Sequence, residues 1–138
     1  MRKVRVYSRP QFCKLTPDKD VCVISIWTPE VDAIEYDKFP ITNYDGWKDA
    51  LKITFNDVTY QGLPHWKLFN HDLAKQIVAF VYKYPSSDFV IHCDAGMSRS
   101  VAVGCYLRDM IGYELELNSW PTDEMRNSLV YGTLMSYR

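Results

Sequence analysis

A short apolar run, a small polar loop and an apolar helix follow one another in this chain, and this succession most constrains the fold. Residues 89–91 are Phe, Val and Ile, residues 92–100 read HCDAGMSRS, and apolar residues then recur at helical spacing up to Gly112. A buried strand that leads through a tight loop into a helix is typical of a parallel α/β sheet. The sequence therefore predicts an α/β fold with residues 89–92 as its central strand.

Further strands and helices are predicted elsewhere in the chain. Apolar residues three and four positions apart predict a long helix from His65 that Pro85 ends. A last helix is predicted to start near Thr122, and residues 30–47 are predicted to be irregular. The other predicted strands are residues 4–7, 21–27 and 51–55.

The loop after the central strand has the composition of an oxyanion site. Cys93 and Arg99 are six positions apart, with Gly96 between them. A loop this short directs successive backbone N–H groups at one tetrahedral anion, and arginine adds a bidentate contact with two phosphate oxygens. The same groups favour the thiolate of Cys93, which is its nucleophilic form. The predicted phosphate-binding residues are Asp94, Ala95, Gly96, Met97, Ser98 and Arg99.

Three neighbours of the nucleophile fit the same chemistry. Gly96 allows a positive φ and a close approach of the backbone to a ligand. Ser100 is placed to donate a hydrogen bond to the Cys93 sulfur, which helps the sulfur to leave when a covalent intermediate breaks down. His92 precedes the nucleophile on the strand, where side chains alternate between faces. We therefore expect His92 to point away from the ligand and to support the loop from behind.

Residues 92–100 resemble the catalytic signature of the cysteine-dependent protein phosphatases. The order His-Cys, five residues, Arg and Ser is that of the dual-specificity branch. Two flanking segments, residues 24–26 and 53–57, are similar to the small phage and bacterial members. The resemblance extends from about Val21 to the helix that follows Gly112.

This resemblance implies a fold, a reaction and a class of substrate. The fold would be that of the protein tyrosine phosphatases, with a central, mostly parallel sheet of four or five strands flanked by helices, in a single catalytic domain over residues 1–138. The reaction would be hydrolysis of phosphate monoesters through a cysteinyl-phosphate intermediate. Phosphotyrosine is the expected substrate, with phosphoserine and phosphothreonine as further candidates. Because the loop contains no lysine and no second arginine, phosphoproteins are favoured over inositol phosphates.

Such a reaction also needs a proton donor for the departing alcohol or phenol. Asp57 follows the predicted strand 51–55, so it should emerge at the carboxyl edge of the sheet together with Cys93, where ligands bind in open α/β sheets. In the similar phosphatases the acid comes from the corresponding loop, which assigns this role to Asp57. In the resulting mechanism, the Cys93 thiolate attacks phosphorus while Asp57 protonates the leaving oxygen, and the Asp57 carboxylate then activates a water.

Two other functions remain open from the sequence. The first is a phosphate-binding module without turnover, in which the acid is wrong or misplaced. The second is an arsenate reductase or sulfurtransferase that uses the same cysteine-to-arginine geometry. Redox cycles of that kind need a resolving thiol, and Cys105 lies about three helical turns from Cys93.

Charge and histidine spacing restrict the partners and cofactors. The formal net charge is −1, and no basic run occurs, so neither nucleic acid nor a membrane surface is an expected partner. A phosphoprotein or phosphopeptide substrate is the expected one. No metal or other cofactor is predicted, because His65, His71 and His92 form no ligand spacing with cysteines or carboxylates.

The four cysteines indicate a reducing compartment. They show no paired spacing, and Cys93 must stay a thiolate. Cys13, Cys22 and Cys105 are expected to be buried small apolar residues. No apolar segment follows the basic residues at the start of the chain, so no signal peptide is predicted and a cytoplasmic location is expected.

Overall fold

The computed structural model describes residues 1–29, 33–118 and 121–137, with the backbone alone at 33–35. Five strands and five α-helices are described in these ranges. The strands are β1 Lys3–Tyr7, β2 Val21–Trp27, β3 Asp49–Thr54, β4 Asp88–His92 and β5 Glu114–Leu117. The helices are α1 Arg9–Cys13, α2 Ala33–Lys38, α3 His71–Lys83, α4 Arg99–Tyr106 and α5 Ser128–Met135. A π-helical turn, Leu107–Ile111, continues α4, and a 3₁₀ turn, Asp123–Met125, precedes α5.

The strands form one sheet in the order β3-β2-β4-β1-β5, and every neighbouring pair is parallel. Helices that connect parallel strands cover both faces of such a sheet, so inner strands read as continuous apolar runs. β2 is an example, because Val21 to Ile26 are all buried. The prediction of an α/β fold with a central, mostly parallel sheet is confirmed, with five strands and β4 in the middle.

Most predicted elements are present, with shifted ends. β2 has the predicted bounds, whereas β3 begins and ends earlier than predicted. The long helix begins at His71, not at His65, because the Asn70 side chain accepts the backbone N–H of Leu73 at 3.0 Å and caps the helix there. The single predicted last helix is instead the 3₁₀ turn followed by α5, which Asn127 caps.

Three elements were not predicted. α1 begins with a capping box between Ser8 and Gln11 and has Pro10 in its first turn. α2 lies within the stretch predicted to be irregular, so that prediction is wrong for Ala33–Lys38; residues 30–32 lie outside the described residues. β5 is a half-buried edge strand that pairs with β1 alone.

The core places α4 directly behind the loop. All eight residues of α4 are buried, and α3 buries one apolar face against the same cluster. Of the three cysteines expected to be buried, Cys22 and Cys105 are fully buried, but Cys13 is exposed, because it is the last residue of a short helix at the surface. None of the helices in the described part of the chain has the length and apolarity needed to span a bilayer.

Candidate active site

The loop between β4 and α4 is pressed against the turn between β1 and α1. Gly96 has a φ of 69°, and a Cβ built there would lie 2.5 Å from the Ser8 nitrogen and 2.7 Å from the Tyr7 carbonyl carbon. The backbone N–H of Arg9 donates to the Asp94 carbonyl at 3.0 Å. Glycine is therefore required at position 96 both by the backbone conformation and by the contact with β1.

The Cys93 sulfur lies at the floor of the loop and is surrounded by donors. It is 2 % exposed, and it accepts the Gly96 backbone N–H at 3.2 Å. The Ser100 hydroxyl lies 3.0 Å from the sulfur and donates to it when the sulfur is ionised. Two donors therefore converge on the sulfur beside the N-terminus of α4.

Arg99 ends the loop, and hydrogen bonds to neighbouring residues fix its guanidinium. One terminal nitrogen donates to the Phe55 carbonyl at 2.7 Å, and the other donates to the Asp94 carboxylate at 3.2 Å. Its Nε is buried and has no hydrogen-bond partner among the described residues. The nitrogen that contacts Phe55 also donates to the Trp27 carbonyl at 3.4 Å, so the guanidinium is held in place, and the donors left for an oxyanion are Nε–H and the second hydrogen of the nitrogen that contacts Asp94.

The Asp94 carboxylate is hydrogen-bonded to three side chains outside its own position in the loop. Its carboxylate accepts the Thr28 hydroxyl at 2.5 Å and the Tyr36 hydroxyl at 3.1 Å, in addition to the Arg99 contact. Its negative charge is thus shared among donors, which reduces its repulsion of an anion. Of the other predicted loop residues, Ala95 is exposed, and Met97 and Ser98 are half-buried.

His92 points to the other side of β4, where it belongs to a buried polar network. Its Nε2 lies 2.6 Å from the Ser25 hydroxyl, and its Nδ1 lies 3.1 Å from the Cys93 carbonyl oxygen. The Ser25 hydroxyl also receives the Trp27 indole N–H and the Tyr44 hydroxyl. Burial lowers the pKa of His92 to about 4, so the imidazole is neutral at pH 7.

We expect the free energy of unfolding to decrease at mildly acidic pH because of His92. Its pKa falls from 6.5 to about 4 on folding, so the unfolded chain binds more protons between these values, and stability decreases as the pH falls through this window. The loss amounts to about 3 kcal/mol at most. Denaturant unfolding of the native chain at pH 7 and pH 4.5 measures it.

The matched variants for this measurement are His92→Gln and His71→Gln. His71 is exposed, so its replacement should leave the pH dependence unchanged, whereas His92→Gln should flatten it. Equal slopes in the native chain and in His92→Gln would show that another group causes the dependence.

Asp57, the predicted acid, lies one hydrogen bond from the loop. Its Oδ1 accepts the Ser98 hydroxyl and the Asn127 side-chain amide, both at 2.8 Å. The segment that carries Asp57 is held at its base by Asn56, which exchanges hydrogen bonds with the backbone of Lys67 at 2.8 and 2.7 Å. The structure therefore brings Asp57 into contact with Ser98, in the loop that runs from Cys93 to Arg99.

Asn127 joins the loop, the acid and α5, and the sequence analysis missed it. Its backbone N–H donates to the Ser98 carbonyl at 3.1 Å, and its Oδ1 accepts the N–H groups of Leu129 and Val130 as the N-cap of α5. An asparagine before an apolar run signals a cap. Its contact with Asp57 spans 70 residues, and no local pattern indicates it.

We expect Asn127→Ser to lower turnover of phosphate esters about tenfold with a small loss of stability. Serine is also a good N-cap, so α5 should remain capped, but its short side chain should not reach Asp57. Asn127→Ala should have the same kinetic defect and lose a further ~1 kcal/mol of stability with the cap. Steady-state kinetics and denaturant unfolding of both variants separate the two roles, and native turnover in Asn127→Ser would rule out a role in positioning Asp57.

A hollow of about 440 Å³ opens beside Asp57. Its lining includes Asp57, Ser98, Tyr60, Trp66 and Arg126. Tyr60 is 68 % exposed. The described residues contain no group of three or more His, Cys, Asp or Glu side chains placed to hold a metal ion.

The remaining buried cysteines do not resemble resolving thiols. Burial raises the pKa of Cys105 and of Cys22, so both are held as thiols. A resolving cysteine acts as a thiolate and must be accessible.

Comparisons with known proteins define neither a family nor an activity. No protein-family model and no curated protein matches the chain. A solved structure, "Tk-PTP in the active form", is similar over 98 % of this chain and 77 % of that chain, with 14 % sequence identity and a TM-score of 0.44.

Proposed function

We propose that this chain is a cysteine-dependent phosphatase that hydrolyses phosphate monoesters. The observation that supports the proposal is the set of groups around the Cys93 sulfur. It receives the Gly96 N–H and faces the Ser100 hydroxyl inside a loop that Arg99 closes. Preorganised donors of this kind stabilise the charge on a transferring phosphoryl group.

In the first step the Cys93 thiolate attacks phosphorus, and the bond from phosphorus to the leaving oxygen breaks. Asp57 gives its proton to that oxygen. Because Oδ1 of Asp57 already accepts two hydrogen bonds, the proton that is transferred resides on Oδ2. The loop amides and Arg99 hold the remaining phosphate oxygens.

In the second step a water attacks the cysteinyl-phosphate and gives a proton to the Asp57 carboxylate. The phosphorus–sulfur bond breaks, and the sulfur leaves as a thiolate. The Ser100 hydroxyl stabilises that thiolate by donating to it across the 3.0 Å contact. Inorganic phosphate is released, and Cys93 and Asp57 return to their starting protonation states.

The proposed substrates are phosphoproteins, with phosphotyrosine first and phosphoserine or phosphothreonine as further candidates. The acid faces the hollow lined by Tyr60 and Trp66, and the leaving group must lie on the side of the acid. That hollow therefore accommodates the leaving group of a peptide substrate.

The test is phosphate release by the native chain from an aryl phosphate, a phosphotyrosyl peptide and a phosphothreonyl peptide. We expect turnover of the first two, with a phosphocysteine trapped by rapid acid quench. Tight phosphate binding without turnover would instead indicate a phosphate-binding module. An inositol phosphate hydrolysed faster than either peptide would overturn the proposed substrate class.

A further inference from the structure

A second guanidinium, that of Arg9, is buried close to the loop without an ionic partner among the described residues. Arg9 is 1 % exposed, and its guanidinium lies between the Trp27 ring, at 4.1 Å, and the Tyr36 ring, at 4.0 Å. Nε donates to the Phe39 carbonyl at 2.7 Å. Both terminal nitrogens are buried, and neither has a hydrogen-bond partner in the described parts of the chain.

An arrangement of this kind destabilises the folded protein when no ligand is bound. A buried charge without a paired anion loses several kcal/mol of hydration, and two aromatic faces return only part of that loss. Replacement of such a group by an apolar side chain of similar size is often neutral or stabilising. The positive charge of Arg9 therefore needs an explanation beyond stability.

Apart from the hydrogen bond to Phe39, the contacts of Arg9 connect it to the loop. Its backbone N–H holds the Asp94 carbonyl at 3.0 Å. Of the two rings that enclose it, Tyr36 donates to the Asp94 carboxylate at 3.1 Å, and the Trp27 carbonyl accepts from Arg99 at 3.4 Å.

Among the described residues no carboxylate pairs with Arg9, and the Lys52 ammonium adds a further cation 3.9 Å from the Trp27 ring. Asp94 is shared by Arg99, Thr28 and Tyr36. His92 is neutral, and the charges of both arginines add to the burial that keeps it so. Arg9 thus has no anionic partner among the described residues, and the composition of the loop is that of an anion site.

We infer that Arg9 is a second cation of the oxyanion site, whose charge is compensated by the oxyanion in the loop, since none of the described carboxylates pairs with it. It makes no direct contact with the oxyanion. It acts through the field at the loop and through the Tyr36 ring, which packs on the guanidinium and donates to Asp94, and this makes it a positioning residue. The inference rests on the proposed function only in placing a phosphate in the loop.

The test is the binding of inorganic tungstate and of inorganic phosphate, measured by calorimetry, in Arg9→Met and Arg9→Lys. Methionine keeps an apolar stem of similar length between the rings but has no charge, whereas lysine keeps the charge. We expect Arg9→Met to bind both oxyanions at least ~10-fold more weakly than the native chain. Arg9→Lys should stay within about threefold, since a unit charge remains at the same site.

Stability without the oxyanion is the second readout. Arg9→Met should unfold at the same or a higher denaturant concentration than the native chain, while its stabilisation by tungstate is reduced. Native oxyanion affinity in Arg9→Met would overturn the inference, as would a lysine variant as weak as the methionine variant, since geometry and not charge would then matter. If Arg9→Met does not fold, the charge is structural, and the inference fails unless Arg9→Gln folds and shows the same loss of affinity.

These outcomes can be told apart from a failure of the proposed function. A native chain that binds tungstate but releases no phosphate disproves the phosphatase while leaving the Arg9 comparison intact. A native chain that turns over phosphotyrosine with unchanged oxyanion affinity in Arg9→Met disproves only the role of Arg9. A native chain that binds neither oxyanion overturns both.

Discussion

Replacement of Cys93 by serine is expected to abolish phosphate release, with a loss of at least ~10⁴-fold in kcat. A serine hydroxyl is not ionised by the donors that hold the Cys93 sulfur, so the first displacement does not occur. The loop amides and Arg99 are unchanged, and we therefore expect Cys93→Ser to bind tungstate about as tightly as the native chain. Phosphate release from the phosphotyrosyl peptide and calorimetric titration measure the two properties.

The matched control for this prediction is Cys13→Ser. Cys13 is exposed on α1, and its replacement should leave turnover unchanged. The alkylation rate of the native chain adds a direct probe of the sulfur. Iodoacetate at neutral pH should modify Cys93 faster than an ordinary thiol, and bound tungstate should protect it. Turnover that survives in Cys93→Ser, or a Cys93 that reacts like an ordinary thiol, would contradict the covalent mechanism.

Asp57→Asn is expected to lower kcat by about 10²- to 10⁴-fold for substrates with poor leaving groups. Asparagine keeps an oxygen that can accept the bonds from Ser98 and Asn127, so the geometry is retained and only the proton is lost. An aryl phosphate with a very acidic phenol needs no protonation to depart. The defect should therefore be large for the phosphotyrosyl peptide and small for such an aryl phosphate.

The control here is Asp45→Asn, an exposed aspartate in the turn before β3, which should behave as native with all substrates. A defect of equal size for all leaving groups in Asp57→Asn would mean that Asp57 orders the loop and is not the acid. If Asp57→Asn has no defect with any substrate, another residue must be the acid.

The sequence predicted the part of the fold in which local pattern and burial agree. β2 is apolar except for Ser25 because it is buried on both faces, so its bounds could be read directly. The loop from Cys93 to Arg99 is a contiguous motif, and its position between β4 and α4 follows from the flanking apolar residues. Asp57 required the additional rule that parallel strands end at one edge, and the structure brings it there; its role as acid remains a prediction.

The missed features depend on contacts between distant parts of the chain or on signals that were short. Asn127 and Arg9 act on the loop from elements far away in the sequence, so no spacing marks them. The capping box between Ser8 and Gln11 was visible but covers a helix of only five residues. β5 alternates Glu and Leu as a half-buried edge strand does, yet four residues carry too little pattern to distinguish a strand from a turn.

The contact between Gly96 and the end of β1 constrains when the loop can form during synthesis of the chain. β1 is made first, but it lies between β4 and β5, and Val4 pairs with Phe89 and Leu115. Until β4 and β5 have emerged, β1 has no place in the sheet, and the turn at Ser8 cannot support the loop. The surroundings that the loop gives to Cys93 therefore form only after β4 and β5 have paired with β1.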